Sequence, residues 1–197
     1  AECSLADVRV DSRYPWRGQA VYEVTPKTEK PFTLAIHIPG YVKEGTLTVR
    51  KNGIEVQGEQ RNGYLYLTGI WNAGDRVEIT FPMEVRRMYS SVRSVDNVGC
   101  TGLMRGPIVY CLEGVDNGEQ LQALILPRTA EITEEAEDTG IFRGTVTLRM
   151  KGIREEDSPV LYSSEPPKER EAELLAIPYY LWGNRGLTQM RVWIRER

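Results

Sequence analysis

A chain of 197 residues can hold one large β domain or two small ones, and 41% hydrophobic residues supply real cores, which excludes disorder. A net charge of -3 gives no electrostatic basis for binding nucleic acid or an anionic membrane, both of which need concentrated Lys and Arg. No apolar run approaches the roughly 20 residues of a membrane-spanning helix.

Read in order, the first half is a series of short strands. Ala1-Glu2-Cys3 lacks the apolar segment of a signal peptide and, without Met, looks like a trimmed start. Leu5 to Val10 alternates weakly and leads into Tyr14-Pro15-Trp16. Ala20, Tyr22 and Val24 share one face of a strand that ends at Pro26. Phe32, Leu34, Ile36 and Ile38 alternate with Thr33, Ala35 and His37, the period of a half-buried strand, and Pro39-Gly40 ends it. Asn52-Gly53 and Asn62-Gly63 are hairpin turns, because both central positions of such turns need positive φ. Val77, Ile79 and Phe81 alternate again after the turn at Asn72 to Asp75. Turns at this close spacing predict an antiparallel sandwich over residues 1–88.

Arg86-Arg87 and Ser90-Ser91 read as a crossing to a second unit over residues 89–197. Gly106-Pro107 punctuates the chain before Ile108 to Leu112, an apolar run too short for a helix and suited to a strand buried on both faces. Leu121 to Leu126 and Thr145 to Met150 are further strands, with an acidic, solvated connector at 131–138 between them. Glu155 to Glu173 is polar and holds Pro159, Pro166 and Pro167, so it reads as a long loop. Leu174 to Trp182 and Met190 to Ile194 close the unit through Gly183-Asn184-Arg185-Gly186. The expected fold is all-β: two consecutive antiparallel β-sandwich domains of jelly-roll or immunoglobulin-like type, with no substantial helix.

Arg105-Gly-Pro-Ile-Val-Tyr-Cys-Leu-Glu-Gly-Val-Asp116 resembles the signature of the β-L-arabinofuranosidase family, glycoside hydrolase family 127. Three further segments agree, in order: Tyr14-Pro15-Trp16 with Gly18, Ile38-Pro39-Gly40-Tyr41, and Ile177 to Gly186 with Met190-Arg191-Val192-Trp193. The resemblance covers the C-terminal part of such an enzyme and implies a large α-helical catalytic barrel upstream. It also implies a retaining hydrolase with a cysteine nucleophile on zinc, marked by an adjacent Cys-Cys pair, and a last sandwich that builds a homodimer.

Cys3, Cys100 and Cys111 are isolated and include no such pair, so neither a catalytic residue nor a metal ligand is expected here, and zinc belongs to the missing catalytic domain. Cys111 is expected to pack inside the central strand as a small hydrophobe. Odd, scattered cysteines point to a reducing cytoplasm rather than a disulfide framework. His37 is expected at the surface. The acid pairs Glu55 with Glu59 and Glu113 with Asp116, and the runs Glu134-Glu135 and Glu155-Glu156-Asp157, are weighed as a glycosidase dyad. Most lie in turns or charge runs and read as solvated. Glu113 reads as a structural anchor paired with Arg105, and Asn184 and Arg185 as loop anchors, Arg185 able to grip a carboxylate at two points.

Trp16, Tyr179 and Trp182 are the candidate sugar-facing or interdomain aromatics, with Tyr41, Trp71, Tyr180 and Trp193 as further candidates. Alternation along Tyr179 to Trp182 would let one side of it face a ligand. The leading expectation is a non-catalytic support for the barrel. The alternative is a carbohydrate-binding module for plant arabinose-containing glycans.

Overall fold

The computed structural model describes residues 3–197; the expected trimmed start at Ala1-Glu2 lies outside the described residues. The chain divides into two compact units, one ending at Glu84 and one running from Val85 to Arg197. Both are built of strands, and no helix is long and apolar enough to cross a membrane.

The first unit holds β1 (Ala6–Ser12), β2 (Gln19–Pro26), β3 (Phe32–His37), β4 (Thr48–Lys51), β5 (Ile54–Glu55), β6 (Glu59–Arg61), β7 (Tyr64–Gly69) and β8 (Asp75–Thr80). They form a five-stranded sheet, β1-β2-β8-β4-β5, and a three-stranded sheet, β3-β7-β6. The alternating residues anticipated from sequence supply much of the core: Val24, Ile36, Val77, Ile79 and Phe81 are buried together, joined by Leu65 of β7. Asn52-Gly53 links Lys51 to Ile54 and Asn62-Gly63 links Arg61 to Tyr64, and all four turn residues have positive φ. Gly18 is dictated by contact, since a Cβ there would stand 2.0 Å from the Phe81 carbonyl oxygen. Phe81 in turn donates its N–H to the Gly18 carbonyl at 2.8 Å.

One polar knot ties this unit's turns together. Asp75 is buried and accepts from the Asn52 amide at 2.8 Å and the Asn72 N–H at 3.0 Å, with Lys51 Nζ at 2.9 Å. Burial pushes the Asp75 carboxyl up, but the Asn72, Asn52 and Lys51 donors outweigh it and hold the group below its usual value. A carboxyl depressed in the folded state contributes stability above its unfolded pKa of about 4, and that contribution is lost as pH falls through the folded value. Acid titration of thermal stability is therefore expected to show a loss below about pH 4 that Asp75→Asn diminishes. An unchanged acid limb in that variant would refute the assignment.

The second unit holds β9 (Val85–Tyr89), β10 (Cys100–Arg105), β11 (Ile108–Glu113), β12 (Leu124–Leu126), β13 (Ile132–Ala136), β14 (Val146–Glu155), β15 (Glu169–Pro178), β16 (Met190–Arg191) and β17 (Ile194–Glu196). A single helical turn, α1 (Gly114–Asn117), follows β11. The pairings return to their start: β10 to β11, β11 to β15, β15 to β14, β14 to β12, β12 to β17, and β17 back to β10. The strands thus close a ring, with β9, β13 and β16 added at its margins. The β12–β17 pairing is parallel and the others in the ring are antiparallel. Leu103, Tyr110, Leu112, Leu126, Leu148, Leu174 and Ile194 are buried within this unit.

Several local expectations change. Residue 88, the expected limit of the first domain, falls inside β9, whose Arg86-Arg87 pair with β10 instead of forming a crossing. The acidic segment at 131–138 is not a solvated connector: it contains β13, which needs only backbone pairing with β14 and leaves its glutamates exposed. The polar stretch at 155–173 is a loop only from 156 to 168, since Glu169 to Glu173 belong to β15. Met190 to Ile194 splits into two short strands with different partners.

A braced aromatic turn as the candidate functional site

β11 runs through the interior, with Tyr110, Cys111 and Leu112 buried, and carries Glu113 inward with them to complete burial. A carboxylate taken out of water must be matched by donors. Two come from the loop after β15: Arg185 Nη2 lies 2.5 Å from one Glu113 oxygen, and the Gly183 N–H donates to the other at 2.8 Å. The same guanidinium grips Asp116 on α1, through Nη1 at 2.8 Å and again through Nη2, and it sits over the Phe142 ring at 4.6 Å. The Asp116 hydrogen bonds, opposed by burial and supported by Glu113, hold Arg185 above the usual arginine range. One cation thus joins two carboxylates and pins the loop to α1.

Asn117 completes the brace. Its amide nitrogen donates to the Glu113 and Leu175 carbonyls, each at 2.9 Å, and its oxygen accepts from the Leu175 N–H at 2.9 Å, so α1 is stitched to β15. Pro178 ends β15, and Tyr179 to Leu181 form a 3-10 turn. Trp182 N–H donates back to the Tyr179 carbonyl at 3.1 Å, and the Asn184 amide donates to the Leu181 carbonyl at 3.1 Å. Because this segment is a turn and not the alternating strand expected, Tyr179, Tyr180 and Trp182 are all solvent-accessible, at 44%, 57% and 44%.

The other candidates are placed elsewhere. Trp16 is half-buried in the turn after β1, and Tyr41 is half-buried with its hydroxyl on the Met83 sulfur at 3.5 Å. Trp71 is a core residue, donating its indole N–H to the Phe32 carbonyl with Lys51 over its ring at 4.1 Å. The Trp193 ring is half-buried against Gly102. His37 is exposed beside the Tyr64 ring, as expected.

Among the acids, Glu113 takes Arg185 as its partner in place of the expected Arg105, whose Nε donates to Glu134 at 2.7 Å. Glu135 pairs with Arg149, Glu155 with Arg195 and Glu59 with Arg61. Glu113 and Asp116 face one shared guanidinium, not an open gap that would admit a sugar. Burial, reinforced by the Glu113 charge and opposed by Arg185, pushes the Cys111 thiol up to about 12, so it stays protonated near neutral pH and is inert as a nucleophile or thiolate ligand. Among the described residues no group of three His, Cys, Asp or Glu gathers closely enough to hold a metal ion, so these residues do not fit the zinc centre that the resemblance implies.

The structure brings Arg185 onto Glu113 and Asp116 and sets the Asn184 amide on the Leu181 carbonyl, while Asn117 was not singled out from the sequence and the partner of Glu113 was misassigned. The usable signal was a lone acid directly after a buried run, which requires a cation from a distant loop.

Comparison with known proteins follows the same division of the chain. Residues 2–83 match the model of the β-L-arabinofuranosidase GH127 middle domain, and residues 85–195 match the glycoside hydrolase family 127 C-terminal domain. A non-reducing end β-L-arabinofuranosidase of Bifidobacterium longum subsp. longum is 33% identical over 94% of this chain and 30% of its own length. The crystal structure of a GH127 β-L-arabinofuranosidase from Geobacillus stearothermophilus T6 superposes with a TM-score of 0.90 at 36% identity, over 98% of this chain and 31% of that one. A second GH127 β-arabinofuranosidase structure gives a TM-score of 0.84 at 25% identity, over 98% of this chain and 32% of that one. The chain therefore spans about a third of the length of the relatives it matches.

Proposed function

This chain belongs to glycoside hydrolase family 127, and on that premise we propose that it is the non-catalytic support region of a β-L-arabinofuranosidase-like enzyme, holding a catalytic barrel contributed by other residues. The observation that carries this reading is that two consecutive family domains, middle and C-terminal, tile the chain while its buried acids are spent on internal pairs. Glu113 and Asp116 brace a loop, and Glu196 binds Arg87 and Arg128, so each serves the scaffold. Zinc and the reactive cysteine belong, in this reading, to the catalytic part. A cytoplasmic setting and a homodimer go with it, the former supported by Cys100 and Cys111 being free buried thiols.

The 197-residue chain alone, incubated with an aryl β-L-arabinofuranoside, is expected to release no aglycone above the buffer rate. Turnover well above buffer, surviving repurification, would overturn the proposal.

A further inference from the structure

Single exposed apolar residues are ordinary on a folded surface, whereas a contiguous group marks a contact. Around the Arg185 brace such a group is present. Tyr179, Tyr180 and Trp182 are exposed on the turn, and Val115 on α1 and Leu187 just past Gly186 line the hollow beside Arg185. Ile141, next to the Phe142 ring under the same guanidinium, is exposed too. The main chain that carries Val115 and Trp182 is already tied down through Glu113, Asp116 and Asn117, so covering it would cost little further backbone ordering. Further exposed apolar groups among the described residues are Val160-Leu161-Tyr162 in the 156–168 loop and Val92, Val95 and Val98 between β9 and β10, and neither lies on an ion-paired brace like that of Arg185.

We infer that this braced aromatic surface is the seat of the catalytic part of the enzyme, an inference that rests on the reading of the chain as a support region. Two observations select that occupant. The chain accounts for only 30–32% of its relatives, so in them a body about twice its size must be attached, and permanent interfaces of that kind are apolar at their centre. Arg185 and Asn184, the guanidinium and amide best able to fix a sugar here, are committed: Arg185 to two carboxylates and Asn184 to the Leu181 carbonyl. A sugar would have to be fixed by the ring hydroxyls, the indole N–H and the neutral rim of the hollow without that guanidinium or amide, whereas a protein surface needs only the ring faces.

The test is tyrosine-directed covalent labelling of the full-length polypeptide that carries these residues, read by peptide mass spectrometry with an added tyrosine amide as internal standard. Tyr162, 93% exposed, is the reference, and Tyr179 and Tyr180, at 44% and 57%, are the reporters. Both reporters are expected to react roughly tenfold more slowly than Tyr162, as residues at the centre of an interface do. Val115→Glu with Leu187→Glu, both at exposed sites, is expected to raise their labelling at least about fivefold by loosening the contact. Reporters that react at about half the Tyr162 rate, in proportion to their exposure here, would overturn the inference. So would protection lost on dilution to a monomer, which assigns the surface to a second copy, or protection seen only with added arabino-oligosaccharide. Hydrolysis of the aryl arabinofuranoside by the same full-length sample reads the underlying functional proposal separately: inactivity with protected tyrosines removes the assigned activity and leaves the contact standing.

Discussion

Arg185→Met is expected to destabilise the second unit by about 3–5 kcal/mol, the usual cost of stranding a buried carboxylate. Glu113 is fully buried, and apart from the Gly183 N–H its donor is this one guanidinium. The loss should appear as a fall of roughly 10–20 °C in the melting midpoint of that unit. Arg185→Lys should recover little, because a compact ammonium cannot reproduce the fork that meets Glu113 and Asp116 together. Glu113→Gln placed in the Arg185→Met background should restore at least about half of the loss, since it removes the fully buried charge and leaves only the partly exposed Asp116 without its cation. That recovery separates an electrostatic brace from simple packing by the arginine stem. A single variant that melts within about 1 °C of the parent would sink the assignment.

Removing residues 194–197 is expected to abolish the cooperative unfolding of the second unit. Ile194 is buried, and β17 joins β12 on one side to β10 on the other, so without it the ring is an open sheet with two bare edges. The strand is also nailed by charge. Glu196, nearly buried, accepts from Arg87 at 2.9 Å, Arg128 at 3.0 Å and the Tyr89 hydroxyl at 3.1 Å, and Arg195 forks onto Glu155. Glu196→Ala alone should cost about 2–4 kcal/mol by leaving Arg87 poorly matched. Calorimetry checks both, and a truncated chain with two normal transitions would refute the closing role.

What could be read in one dimension was whatever depends on near neighbours. Period-2 alternation located β3 and β8, and two Asn-Gly pairs located the tight hairpins, because each is set within a few residues. β13 escaped notice for the opposite reason. Its Glu134 and Glu135 face water and pair with Arg105 and Arg149, and only Ile132 is half-buried, so no apolar alternation betrays the strand. The aromatic turn was misread because Tyr179 to Trp182 continues the apolar run of β15, and only Pro178 hints at the break. The partner of Glu113 could not be found by spacing at all: Arg185 is 72 residues away, and several other arginines would have satisfied the same demand.

The ring has a further bearing on how the protein is made. β10 emerges from the ribosome long before β17, and its β17-facing side must wait until the last strand is synthesised. The first unit contains all its own pairings and can condense as soon as its residues are free. The second spends its whole translation with an apolar interior unsealed, so it is the part most in need of chaperone shelter on the nascent chain.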